Sequence, residues 1–175
     1  MLPVVASAAK LPFLDRSFDA VVASDVLEHI PPIHRQPVIE EALRVARKLV
    51  IFGFPSGSEA FDCDRNLAAL YERNHLERPL WLDEHISYGF PAEQLFDDFK
   101  MHWRISSFGN ESVDFHYWMM KRELSSTWNF GFRSLLALVP RSMERILQRA
   151  DREPFYRKIV ILSPKQQSSS TLREA

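Results

Sequence analysis

The sequence has one cysteine, Cys63, and five glycines in 175 residues. A lone thiol closes no internal disulfide and builds no thiolate zinc cluster, so a reducing, cytoplasmic setting is expected. The glycines stand at 53, 57, 89, 109 and 131. None precedes Gly53 to form the turn on which nucleotide-binding folds usually rest a phosphate or cofactor. An excess of one charge is lacking too, because 22 Lys and Arg oppose 23 Asp and Glu. That balance removes the basic surface on which nucleic-acid affinity depends, and no nucleic-acid partner is expected. The longest lipophilic stretch, Leu135 to Val139, is far too short to span a bilayer, so no transmembrane segment is expected. The start MLPVVASAAKLPF has no basic leader, and Pro3 and Pro12 interrupt it.

What is present suits a packed domain: 46% of the residues are hydrophobic and 12% aromatic. Ala20 to Ser24 (AVVAS) is an apolar run too short for a helix, which predicts a strand buried on both faces, its carboxyl end at Ser24-Asp25. From Arg35 to Ala46, Val38, Ala42, Leu43 and Ala46 recur at helical spacing, with Glu40, Glu41, Arg44 and Arg47 on the other side. Pro31-Pro32 introduces this helix, and Pro37 is expected within its first turn. Leu49 to Phe54 (LVIFGF) predicts a second buried strand, making a right-handed crossover in a parallel sheet.

The rest is less regular. Helical patterns cover Asp64–Arg73, Ala92–Phe99, Ser112–Ser125 and Arg133–Arg149. A half-exposed strand through Met101, Trp103 and Ile105 is expected to end at Gly109-Asn110, and Tyr156–Leu162 is expected to close the fold. The stripe of Phe130, Phe132, Leu135, Leu136 and Leu138 suits core packing, a cap over a greasy acceptor or an interfacial contact.

The run LPFLDRSFDAVVASDVLEHIPP, followed by EALRVARK and VIFGFPSG, resembles the central part of class I S-adenosylmethionine-dependent methyltransferases of the type 11-like group. The likeness is dense over residues 3–57 and beyond them is one of element order. It implies an α/β fold: a partial Rossmann-like methyltransferase sheet, mainly parallel with a C-terminal antiparallel pair, carrying helical insertions. It implies S-adenosylmethionine as cofactor, with Ser24 and Asp25 at the carboxyl edge of the sheet and Ser7-Ala8 at the adenine-contacting position, where the family usually has an acid. Pro3–Ala6 would be the family's third strand. The family's first strand, glycine loop and second strand have no counterpart here. The expectation is therefore an incomplete domain, a fragment or truncated form, over 1–164, with a lid-like segment at 58–90, a helical insertion at 111–154 and a disordered tail at 165–175. Donor binding by this chain alone is expected to be weak. The open edge of Ala20–Ser24 would be completed by a missing N-terminal segment or a partner chain.

Methyl transfer from a sulfonium needs alignment above all, and a base only where the acceptor must lose a proton. The base candidates are Glu28 and His29; alternatively Glu28 pairs with Arg35 or Arg47 and His29 packs at the start of the crossover. Trp81 and His85 are the candidate contacts to a small, lipid- or sugar-linked acceptor, the alternative being a surface loop anchored by the tryptophan. Asp25, Glu28 and His29 have the i, i+3, i+4 spacing of one helical face. Some family members are similar there and hold a divalent ion; His85 or His34 would have to supply a further ligand, and no metal ligand is assigned. Two other readings stand beside the methyltransferase: a non-catalytic partner subunit, and a metal-dependent enzyme using Asp25, Glu28 and His29.

Overall fold

A computed structural model describes residues 3–124 and 151–165. The helix expected at Arg133–Arg149, the apolar stripe from Phe130 to Leu138, the tail beyond residue 165 and much of the 111–154 insertion lie outside the described residues.

The first strand, β1 (Phe18–Ser24), leads through a 3-10 turn at Leu27–His29 into α1 (Pro32–Val45) and β2 (Ala46–Pro55). Two helices follow, α2 (Ser58–Arg73) and α3 (Leu80–Tyr88), and then a 3-10 segment at Glu93–Met101. The described chain closes with β3 (Trp103–Ser112), α4 (Val113–Glu123) and β4 (Phe155–Pro164). The strands form one sheet in the order β1-β2-β4-β3. β1 and β2 are parallel, as a helical crossover requires. β4 runs antiparallel to both β2 and β3, which brings its amino end, with Tyr156 and Arg157, to the carboxyl edge of the parallel pair.

The core lies on one face of this sheet. Val38, Ile39, Ala42 and Leu43 of α1 pack with Val50, Phe52 and Phe54 of β2, Val160 and Leu162 of β4, and Phe96. α1 begins three residues earlier than its apolar spacing predicts, so Pro37 falls in the second turn. The carbonyl that Pro37 leaves without an amide belongs to Ile33, itself exposed, and water can serve it. Ala46, expected to end the helix, instead begins β2.

β1 is not buried on both faces. Val21 and Ala23 pack on the core, while Ala20, Val22 and Ser24 point outward and Val22 is 65% exposed. The reason is layering: the described core covers one face of the sheet, and the outer face of β1 lacks the second layer that a doubly covered parallel strand has. Pro3–Ala6 is exposed and forms no strand. Its chain ends in a small turn bridged between Ser7 and Lys10. β3 runs through Gly109-Asn110 to Ser112 instead of stopping there. A Cβ at Gly109 would stand 1.9 Å from the Phe155 ring, so the glycine lets that ring lie across the strand. Ser112 then caps α4, its hydroxyl accepting from the Phe115 amide at 3.3 Å.

Candidate functional site

The polar side chains of the middle and end of the chain converge on the carboxyl edge of β1 and β2. The turn after β1 starts with Asp25, which adopts φ +54° and donates its amide to the Gly53 carbonyl at 2.8 Å. An aspartate tolerates this left-handed conformation better than most residues. Its carboxylate accepts from the Ser24 hydroxyl at 3.0 Å and from Arg157, whose Nε and second terminal nitrogen lie 3.0 and 2.8 Å away. Arg157 also donates to Glu111 at 3.1 Å, and the other oxygen of Glu111 accepts from His116 Nδ1 at 3.0 Å. His116 stacks flat on Tyr156 with ring centres 3.4 Å apart.

Leu27–His29 then forms its single 3-10 turn, which buries Leu27 and Glu28 and leaves His29 half-exposed. Glu28 is 1% exposed. Burial, reinforced by the neighbouring Asp25 charge, pushes its carboxyl up to about 7. Neither arginine considered as its partner from the sequence holds it by a hydrogen bond. Arg47 turns to Asp19 at the other end of β1, at 3.4 Å. Arg35 is buried and spends its donors on main-chain carbonyls: Nε on Leu27 and Ile30, both at 3.0 Å, and one terminal nitrogen on Tyr88 and Gly89 at 3.1 and 2.5 Å. That guanidinium fastens the Glu28–His29 turn to the end of α3.

α3 supplies the partners. His29 Nδ1 lies 2.7 Å from Glu84 Oε2, and His85 Nδ1 lies 2.7 Å from Asp64 Oδ2. A carboxylate only accepts, so each imidazole donates from Nδ1, and Nε2 is the nitrogen left to meet another group. Asp64 comes from α2 and also accepts from the Tyr156 hydroxyl at 2.9 and 3.1 Å. Beside this buried carboxylate the tyrosine is held strongly against ionisation, by burial first and by the Asp64 charge second. The His29 and His85 rings lie 4.9 Å apart, and Trp81 meets His85 edge-on at 5.2 Å.

Of the residues singled out from the sequence, the fold gathers Ser24, Asp25, Glu28, His29, His85 and Trp81 into this region. Ser7 and Ala8 lie in the turn before β1: the Ser7 hydroxyl accepts from the Ala9 amide at 3.3 Å, and Ala8 leans on the core. His34 is exposed on α1. Asp25 is turned away from Glu28 and His29 by Arg157, so the face read from helical spacing does not form; the segment is a single turn preceded by a left-handed residue. Sequence reading missed Asp64, Tyr156, Arg157, Glu111 and His116. Asp64 had a signal, since it shares the apolar stripe of α2 with Ala60, Leu67 and Ala68, where an unpaired carboxylate is costly. Next to the region a cleft of about 480 Å³ opens at the end of β2, lined by Ser56, Gly57, Phe61, Phe90, Glu93 and Lys158 among others.

Residues 2–53 match the family model described as a methyltransferase domain. This segment contains β1, the Glu28–His29 turn, α1 and most of β2. No curated protein matches the chain. Solved structures do. The PH0226 protein of Pyrococcus horikoshii is 16% identical, with 93% of this chain and 58% of that one covered and a TM-score of 0.44. A protein described as a methyltransferase from an antibiotic biosynthesis pathway of Anabaena variabilis is 17% identical, with 90% and 71% covered and a TM-score of 0.45. The MccD protein is 16% identical, with 91% and 66% covered and a TM-score of 0.40. The chain thus spans 58% of the length of the first of these. No described helix is long and apolar enough to cross a membrane.

Proposed function

We propose that the protein takes part in S-adenosylmethionine-dependent methyl transfer to a small-molecule hydroxyl acceptor, small itself or linked to a lipid or sugar, with His29 as the base. The supporting observation is the His29–Glu84 pair at the carboxyl edge of β1, which engages Nδ1 with a carboxylate and leaves Nε2 to meet an acceptor. The donor, when bound, supplies a sulfonium-activated methyl group. The exposed Ser24 hydroxyl and Asp25 carboxylate at the same edge suit the hydroxyl and amino groups of a nucleoside, and they are the residues that would hold it. His29 Nε2 takes the proton of the acceptor hydroxyl as its oxygen becomes the nucleophile. Glu84 steadies the imidazolium so formed. Glu28, buried beneath, sets the field at this base, and Trp81 and His85 form the side toward which an acceptor would pack.

The test is release of S-adenosylhomocysteine at saturating donor over a panel of hydroxyl-bearing acceptors. We expect acceptor-dependent release that falls about 100-fold or more in His29→Gln, the scale of a lost general base. Full turnover in that variant, or no acceptor-dependent release from the wild type, overturns the assignment.

The edge position of β1, with Val22 65% exposed, favours a second reading: a non-catalytic subunit whose sheet is extended by another chain. It predicts a stable complex in which donor binding resides on the companion.

A further inference from the structure

We propose that Glu28, His29 and His85 bind one divalent transition-metal ion, with Glu84 and the Asp64–Tyr156 pair fixing the two imidazoles. One potential ligand atom from each of the three residues lies within 4.8 Å of the other two. Ligands about 2.1 Å from a tetrahedral ion stand about 3.4 Å apart, so a small inward adjustment of the half-exposed His29 ring closes the set.

Two orphaned atoms point to the same occupant. Glu28 Oε2 and His85 Nε2 are buried without a hydrogen-bond partner, in residues 1% and 5% exposed. Buried polar atoms are nearly always satisfied, and a cation between them would satisfy both. The other nitrogen of each ring is already held by a carboxylate at 2.7 Å, through Glu84 for His29 and Asp64 for His85. Such outer partners fix the tautomer, aim the lone pair and raise ligand basicity. The Tyr156 hydroxyl in turn fixes Asp64.

The donor set names the ion class. Two imidazoles and one carboxylate suit zinc, iron(II), cobalt(II) or manganese(II) better than magnesium or calcium, which prefer oxygen throughout. Glu28 and His85 close the buried sides, while the His29 side chain, 30% exposed, marks the route of entry. Three protein ligands leave at least one position open for water or another oxygen. Asp25 is outside the set, because the clustered ligand atoms are those of Glu28, His29 and His85 and the Asp25 carboxylate faces Arg157 and Ser24. Binding of the ion stands on this geometry alone. With the ion bound, His29 Nε2 is a ligand and no longer a base. The further step, in which an acceptor hydroxyl takes the open position, becomes more acidic there and loses its proton to water, would then replace the direct base role of His29, and it alone rests on the proposed methyl transfer.

The experiment needs no methyl donor. The full chain, stripped with a chelator, is titrated with cobalt(II) while its visible absorption is followed, and zinc is then added in competition. Stoichiometric one-to-one uptake is expected, weakened at least about 100-fold by His85→Gln and by Glu28→Gln, and about 10-fold by Asp64→Asn. His34→Gln, on the exposed side of α1, should bind as the wild type does. Should His85→Gln not fold, His29→Gln changes a half-exposed ring and must show the same loss. Absence of stoichiometric uptake by the wild type, or unchanged affinity in folded His29→Gln and Glu28→Gln, overturns the site. Because the readout is the metal itself, either result is separate from success or failure of the methyl-transfer assay.

Discussion

Replacing Arg35 by methionine removes the main-chain clamp between the Glu28–His29 turn and the end of α3. The guanidinium is buried and donates to four main-chain carbonyls, those of Leu27, Ile30, Tyr88 and Gly89. Hydrogen bonds to a charged group are worth about 1.5–3 kcal/mol each before compensation. Only the bond to Leu27 is fully buried; the other three carbonyls are partly buried and recover some water. Removing a buried charge also relieves its desolvation, which burial already signals by lowering the Arg35 pKa. The net loss in Arg35→Met should be about 3 kcal/mol, a large share of the 5–15 kcal/mol typical of whole domains. For a chain of this size that is a fall of about 6–12 °C in Tm. Arg35→Lys keeps the charge but cannot reach both carbonyl pairs, and should fall between the two. Urea and thermal unfolding followed by circular dichroism give the comparison. A methionine variant within about 1 kcal/mol of the wild type would refute the view that this residue clamps the site.

Further expectations follow from the same geometry. Glu41 accepts from Arg44 and from the Leu11 amide, and these contacts lower its carboxyl to about 2. A lowered folded-state value stabilises the fold above the ordinary carboxylate range and is lost as pH falls toward 2, so Glu41→Gln should flatten the acid limb of a stability-against-pH curve. An unchanged acid limb would count against it. Gly109→Ala places a methyl 1.9 Å from the Phe155 ring and should destabilise by about 1–3 kcal/mol through overpacking, read by chemical denaturation; a neutral result would mean the ring moves freely.

The parts legible in the sequence are those carried by local pattern. The apolar spacing of α1 and the short runs that became β1 and β2 foretold a parallel crossover, and they placed Glu28 and His29 just past a strand's carboxyl end. Pattern failed where the covering of the sheet decides. AVVAS reads alike whether one or both of its faces are covered, and Val22 faces solvent because the described core packs on the other face of β1. Helical spacing likewise grouped Asp25 with Glu28 and His29, but a left-handed Asp25 and the charge of Arg157 separate them.

The sequence by itself determined the sites of strand, helix and turn, because side-chain periodicity acts over a few residues. Tertiary structure alone decided which carboxylate meets which imidazole. Asp64 reaches His85 across 21 residues and Tyr156 across 92, and His29 reaches Glu84 across 55. At those separations no repeat in the chain encodes the pairing. It arises when α2, α3 and the antiparallel β4 pack at one edge and their buried polar groups must find one another.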